Sequence, residues 1–172
     1  MKNLIIRIII SIMVILVISA CSEEEESTTV TFTCTGSSSG SGPTIGGVTL
    51  KEATYKLGTN SFAFVNSTSA NFSYSSGTAL CYTIDVSSTT ASMLKTNSAN
   101  TGNATIGGVR VSSYDNVTAY YMKVKRVVDS TTYHMYIYAV TDSSFYLNAW
   151  GHSSKSSADA YLYMTGSAYT KQ

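Results

Sequence analysis

The chain has 172 residues, with 11 Lys and Arg against 10 Asp and Glu, for a formal net charge of +1. That length suits one ordinary domain once the ends are set aside, and the near-neutral balance excludes the strongly basic footprint of a nucleic-acid-binding protein. Thirteen tyrosines in a Thr- and Ser-rich chain favour pleated structure, and no window sustains a helical period.

The start is a processing segment. Lys2 and Arg7 form a short basic region, Ile8 to Ile18 is an apolar run broken only by Ser11, and Ile18-Ser19-Ala20 supplies small residues before Cys21. This is the layout of a secretory signal peptide, and the run is short for the ~20 apolar residues of a membrane-spanning helix. With a cysteine directly after the small pair, residues 1–21 resemble the lipobox signal of bacterial lipoproteins. The resemblance implies cleavage before Cys21, diacylation of its thiol and attachment to a membrane by lipid chains. Ser22 does not resemble the aspartate that retains lipoproteins at the inner membrane. The run Glu23 to Glu26 looks like the surface-export signal of some Gram-negative lineages, or equally like a solvated acidic tether. The expected location is the cell envelope at the outer membrane, with the surface and periplasmic faces both open.

The resulting division is a signal over 1–20, an acidic and Gly/Ser-rich tether over 21–43, and a single all-β domain over 44–172. The tether contains a short strand at Val30–Cys34 and the tract Gly36 to Gly42 before Pro43. Without Lys2, Arg7 and the four tether glutamates, nine basic residues face six acidic ones. Apart from Cys21, the cysteines are Cys34 and Cys81. In an exported chain they either bridge or remain as two buried thiols.

Strands are expected at Val48–Leu57, Phe62–Asn66, Asn71–Ser75, Ala79–Val86 and Val109–Ser113, separated by Ser, Thr, Asn and Gly clusters. In Ala79–Val86, the residues Leu80, Tyr82, Ile84 and Val86 share one face. A short helix is expected around Thr90–Thr96. Thr44-Ile45-Gly46-Gly47-Val48 recurs as Thr105-Ile106-Gly107-Gly108-Val109. Either two related halves or two glycine turns before strands would account for it.

The most patterned stretch is Val117 to Thr165, read as strands Val117–Val128, Thr132–Thr141, Phe145–His152 and Asp159–Thr165. One face collects Met122, Val124, Met135, Ile137, Leu147, Ala149, Leu162 and Met164. The other collects tyrosines with Lys, His, Asn and Trp. Hairpin loops at Ser130-Thr131, Asp142 to Ser144 and Ser153 to Ala158 set a register. They place Lys125, Tyr136, Trp150 and Tyr161 in one cross-strand row, and Lys123, Tyr138, Asn148 and Tyr163 in the next. His134, His152 and Asp159 meet at one end. The local basic run Lys123 to Arg126 is divided between faces by strand alternation.

Rings beside amide and charged groups suit a glycan or a protein ligand, or else a solvated or packed sheet face without a ligand. His134, His152 and Asp159 offer donors that could ligate zinc. No pair of facing carboxylates suits a glycosidase, and no serine sits in a nucleophile elbow. The sequence therefore points to a non-enzyme without a cofactor. The expected fold is an antiparallel meander-type barrel with the aliphatic face inward and the tyrosines outward, a two-sheet β-sandwich being the competing arrangement. The expected role is that of a lipid-anchored binding or adhesion module, with a structural or accessory lipoprotein of an envelope assembly as the alternative.

Overall fold

Alternation of inward apolar and outward polar residues along eight strands closes this chain into a barrel. The computed structural model describes residues 33–35, 40–96, 103–106, 109–112, 114–148, 151–162 and 168–172. The strands are β1 (Ser41–Ile45), β2 (Val48–Lys51), β3 (Thr54–Leu57), β4 (Asn60–Asn66), β5 (Ser69–Ser73) and β6 (Leu80–Thr96). They continue as β7 (Asn103–Ile106), β8 (Val109–Ser112), β9 (Tyr114–Arg126), β10 (Thr132–Tyr138), β11 (Ser144–Leu147) and β12 (Tyr169–Lys171), with a one-turn helix α1 (Lys155–Asp159) before β12. Around the barrel the order is β3, β4, β5, β6, β9, β10, β11, β12 and back to β3, and every pairing is antiparallel. This is the expected meander barrel. Closure gives every strand of the ring a neighbour on both sides, although β6 and β9 run on as a two-stranded ribbon to Thr96 and Tyr114.

The interior is aromatic. Phe62, Phe64, Phe72 and Phe145 pack there with Tyr55, Tyr82, Ile84, Met122, Val124, Met135, Ile137 and Tyr169. Phe62 lies within 6.5 Å, centroid to centroid, of four other rings. An eight-stranded barrel is just wide enough for side chains to fill, and rings in tilted and edge-on contact fill it. The inward set expected for Leu80 to Val86 and for Met122, Val124, Met135, Ile137 and Leu147 is the set observed. Leu162 instead packs outside the barrel, and Ala149 and Met164 lie outside the described residues.

Two hairpins stand apart from the barrel sheet. Gly46 and Gly47, at φ +59° and +83°, form a two-residue turn between Ile45 and Val48, the backbone that a tight twisted hairpin requires. Ile106 pairs with Val109 in the same way. In both copies of the pentapeptide the residues flanking the glycine pair are thus cross-strand partners, Gly107 and Gly108 lying outside the described residues. The β1–β2 hairpin lies across one end of the barrel, burying Ile45 and Leu50 in the core. Gly42 meets Phe64 on β4, and the tip at Gly46 meets Tyr120 on β9. A Cβ on Gly46 would stand 2.6 Å from Tyr120 Cζ and closer still to the hydroxyl oxygen. Gly46→Ala is expected to destabilise the domain by at least about 1–2 kcal/mol, the cost of a left-handed alanine alone. Gly47→Ala, with nothing within 4 Å of its Cβ, should cost only that backbone term. Thermal denaturation of the two variants separates strain from collision.

Several expected elements differ. Thr90–Thr96 is strand, because β6 runs on past a bulge between Val86 and Thr90 and stays paired with β9 as far as Thr96 and Tyr114. Val48–Leu57 breaks at residues 52–53 into β2 and β3, which belong to different sheets. Asp159–Thr165 is not a strand as far as it is described. Asp159 ends α1, whose N-cap Ser154 accepts from the Ser157 amide, and residues 163–167 lie outside the described set. The strand that closes the barrel is β12, further on. The first half of the expected strand Val30–Cys34 also lies outside the described residues, and Cys34 itself is not in a strand. Cys34 is bridged to Cys81, 47 residues on, which settles the choice between bridge and thiols. Its amide donates to Asn71 Oδ1 at 2.7 Å, and its carbonyl accepts from Asn71 Nδ2.

Candidate functional site

The tyrosine face exists and points outward, but it is covered. Tyr121 lies opposite Tyr136, Lys123 opposite His134, and Lys125 opposite Thr132. The expected pairing of Lys125 with Tyr136 is thus four residues out of step. The hairpin loop is longer than Ser130-Thr131, because Arg126 grips Asp129 through paired hydrogen bonds and the Asp129 carboxylate accepts from the Thr131 amide. Asn148 lies opposite Tyr136 rather than Tyr138, the Asn148 amide donating to the Tyr136 carbonyl at 3.0 Å. Both slips are even in number, so every side chain keeps its face. The pairing of His134 with His152 is as expected, with a backbone bond of 2.9 Å.

Over this face lies α1. Tyr136 and Tyr138 are each 1% exposed, and they form a second core with Met93, Ala119, Tyr121 and Ala158. The Tyr136 hydroxyl donates to Asp159 Oδ1 at 2.7 Å, and Lys155 Nζ donates to both oxygens of the same carboxylate at 2.9 Å. Asn148 links β10 to the helix: its Oδ1 accepts from the Tyr136 amide and its Nδ2 donates to the Ala158 carbonyl. The Lys155 ammonium lies 5.4 Å and 5.7 Å from the ring centres of Tyr121 and Tyr136. Burial raises the Tyr136 and Tyr138 hydroxyl pKa values. Burial also pushes the Asp159 carboxyl up, but the hydrogen bonds from Lys155 and Tyr136 outweigh it and hold the group below its ordinary value. Of the arrangements expected for this face, the ladder through Tyr136 takes the packed one, as an internally satisfied layer. Tyr161, just after α1, is half exposed. Trp150 and Tyr163 lie outside the described residues, and Lys123 pairs with Asp85 at 2.7 Å.

The metal expectation fails on geometry. His134 Nδ1 is hydrogen-bonded to the Tyr121 hydroxyl, and Asp159 is held by Lys155 and Tyr136. Among the described residues, no group of three or more His, Cys, Asp or Glu could hold a metal ion. His152 keeps a buried Nε2 without a hydrogen-bond partner, under the Tyr161 ring at 4.9 Å. Burial lowers its pKa. Because the unfolded chain binds that proton more readily, stability is intact above about pH 6.5 and falls as pH drops through the lowered folded value. The denaturation midpoint is expected to fall between pH 7 and pH 5, and His152→Phe is expected to flatten that fall.

Sequence reasoning missed a second surface. At the barrel end opposite the β1–β2 hairpin, a cleft of about 450 Å³ is lined by Phe72, Tyr74, Leu80, Tyr82, Arg126 and Tyr133. Tyr82 and Tyr133 lie 6.3 Å apart, and the Arg126 guanidinium sits 5.9 Å from the Tyr133 ring centre. Tyr133 and Tyr82 occupy inward positions, as their alternation with His134 and Thr83 already indicated. The contribution of Tyr74, which lies in a turn, had no such signal. Comparison of the chain with family models, curated proteins and solved structures gives no match.

Proposed function

We propose that this chain is a lipid-anchored protein of the cell envelope, held through Cys21 and presenting the barrel as a non-enzymatic binding module for a glycan or a protein ligand. The observation that carries the anchor is the basic, apolar and small-residue sequence ending at Cys21. The Cys34–Cys81 bridge supports export, since such bonds persist in oxidising compartments. Contact is assigned to Tyr74 and Tyr133 of the aromatic cleft, over a floor of buried Phe72 and Tyr82, rather than to the covered tyrosine layer, because stacking on rings needs an accessible ring face.

The competing reading is an accessory lipoprotein without a small ligand. The closed network of Tyr136, Asp159, Lys155 and Asn148 favours it, since that layer is complete without a partner. A glycan and matrix-protein array probed with the mature chain decides between them. Tyr133→Ala is expected to weaken a captured ligand about tenfold, close to 1.4 kcal/mol. Trp150→Ala altering binding while Tyr133→Ala does not would return the site to the outer face. An empty array would favour the accessory reading.

A further inference from the structure

The barrel has two unlike ends, and the chain path singles out one of them. The hairpin-capped end carries Glu52 and Asp142 in its connections. The other end carries the aromatic cleft, the β5–β6 turn and the β9–β10 turn. Among the described residues the exposed large hydrophobic side chains are Tyr74, Val127, Val128 and Tyr161, at 69%, 50%, 42% and 45%. Three of these four stand on the two turns of the uncapped end.

They are held outward by structure. In the β9–β10 turn the Arg126 amide donates to the Thr131 carbonyl at 2.8 Å, Arg126 pairs with Asp129, and Ser130 takes a left-handed φ of +60°. In the β5–β6 turn the Ser76 amide donates to the Thr59 carbonyl and the Ser75 amide to Asn60 Oδ1, fixing Tyr74 beside the β3–β4 turn. Lys125 and Lys56 are exposed near the same rim, while Asp129 is neutralised by Arg126. An apolar rim flanked by amines and a tyrosine suits the boundary of a lipid bilayer, where apolar groups enter the acyl edge and amines meet phosphates.

The described residue that ends the Cys21–Cys34 segment is fixed toward this end. Cys34 is bridged to Cys81, the second residue of β6, whose carbonyl accepts from the Val127 amide at 3.0 Å. The thirteen residues from Cys21 to Cys34 reach at most about 45 Å when fully extended. We propose that the uncapped end, through Tyr74, Val127 and Val128, rests on the lipid surface to which the chain is anchored, so that the aromatic cleft opens toward the headgroup layer and meets there the glycan or protein ligand assigned to it above. This inference rests on the lipid-anchored reading above and adds an orientation and a lipid contact to it.

The test uses the mature chain coupled through its Cys21 thiol to a maleimide lipid in phosphatidylcholine–phosphatidylglycerol nanodiscs, with methyl-labelled valines and a nitroxide lipid in the disc. Val127 and Val128 methyl signals are expected to broaden several-fold more than those of Val48 and Val140 at the capped end. In Val127→Asp, broadening at Val128 is expected to fall toward the level of Val48. Equal broadening at the two ends, stronger broadening at the capped end, or no effect of Val127→Asp would overturn the orientation. Chemical coupling makes this result independent of natural acylation. Failure of the anchor itself is read separately, as an unacylated Cys21 in the native chain.

Discussion

Replacing both Cys34 and Cys81 by serine is expected to lower the unfolding free energy by about 4 kcal/mol, the chain-entropy value for closing a loop of this length. The bridge spans 47 residues, and that loop contains β1 to β5, including the capping hairpin and three barrel strands. In the unfolded chain the bridge confines all of these residues, which is why its effect exceeds that of any exposed ion pair here. In the folded chain Cys34 is also bound to the side chain of Asn71 through both its amide and its carbonyl, so the bridge pins a segment that belongs to no strand. Guanidinium denaturation checks the value. The double variant and the reduced wild type should unfold at similar midpoints, and the double variant should be indifferent to reductant. A loss below about 1 kcal/mol would mean that the unfolded chain gains little freedom over this loop. The same variant releases the tether from the rim of the uncapped end, so the orientation on the lipid surface should be lost with it.

The meander was legible because its inward set is strictly alternating. Leu80, Tyr82, Ile84 and Val86, and then Met122, Val124, Met135 and Ile137, admit only one core face, and eight such strands in sequence close most simply on their neighbours. Register was legible only in parity. The slips at Lys125–Tyr136 and Tyr138–Asn148 come from turns whose length depends on the Arg126–Asp129 grip and on the chain beyond Asn148. Two pieces had no sequence signal strong enough to find. Tyr169 to Lys171 is too short to alternate, yet it is the closing strand. Ser153 to Ala158 reads as a polar loop, and only the Ser154 cap betrays a helical turn. Missing α1 had the largest consequence for the site. Whether an outward tyrosine meets water or a helix depends on a segment twenty residues away, and strand alternation carries no information about it. The Tyr-rich face was thus legible in position, but not the choice between an open and a packed face, and the cleft at Tyr74 and Tyr133 gives no sequence signal because it joins residues from four elements.

The barrel closes through its shortest strand, and Phe145→Ala is expected to show what holds it shut. β12 has three residues, paired with β11 through Ser144–Thr170 and Phe145–Tyr169 and with β3 through Thr170–Lys56 and Lys171–Tyr55. So short a ladder contributes little alone. The Phe145 ring, fully buried, stacks on Tyr169 at 5.2 Å with planes 6° apart and also meets Tyr55, Phe62 and Phe64 within 5.8 Å. Truncation removes the shared neighbour of four rings that cannot all collapse inward, so the cost should lie in the 3–5 kcal/mol range of buried Phe→Ala changes. The loss should also be local first. The Lys171 amide, bonded to the Ser143 carbonyl, and the Gln172 amide, bonded to the Thr54 carbonyl, should lose hydrogen-exchange protection before the amides of β6 and β9 do. Once β12 detaches, β11 and β3 become free edges, and edges invite pairing with another chain. The variant should therefore elute as oligomers in size-exclusion chromatography at concentrations where the wild type does not. Intact β12 protection with a cost below about 2 kcal/mol would place closure in the backbone ladder instead of the ring stack. The Cys34–Cys81 bridge lies on the β5–β6 side, away from this seam, so the two losses should be close to additive. Their sum approaches the whole stability of an ordinary domain, and reduced Phe145→Ala is expected to be largely unfolded.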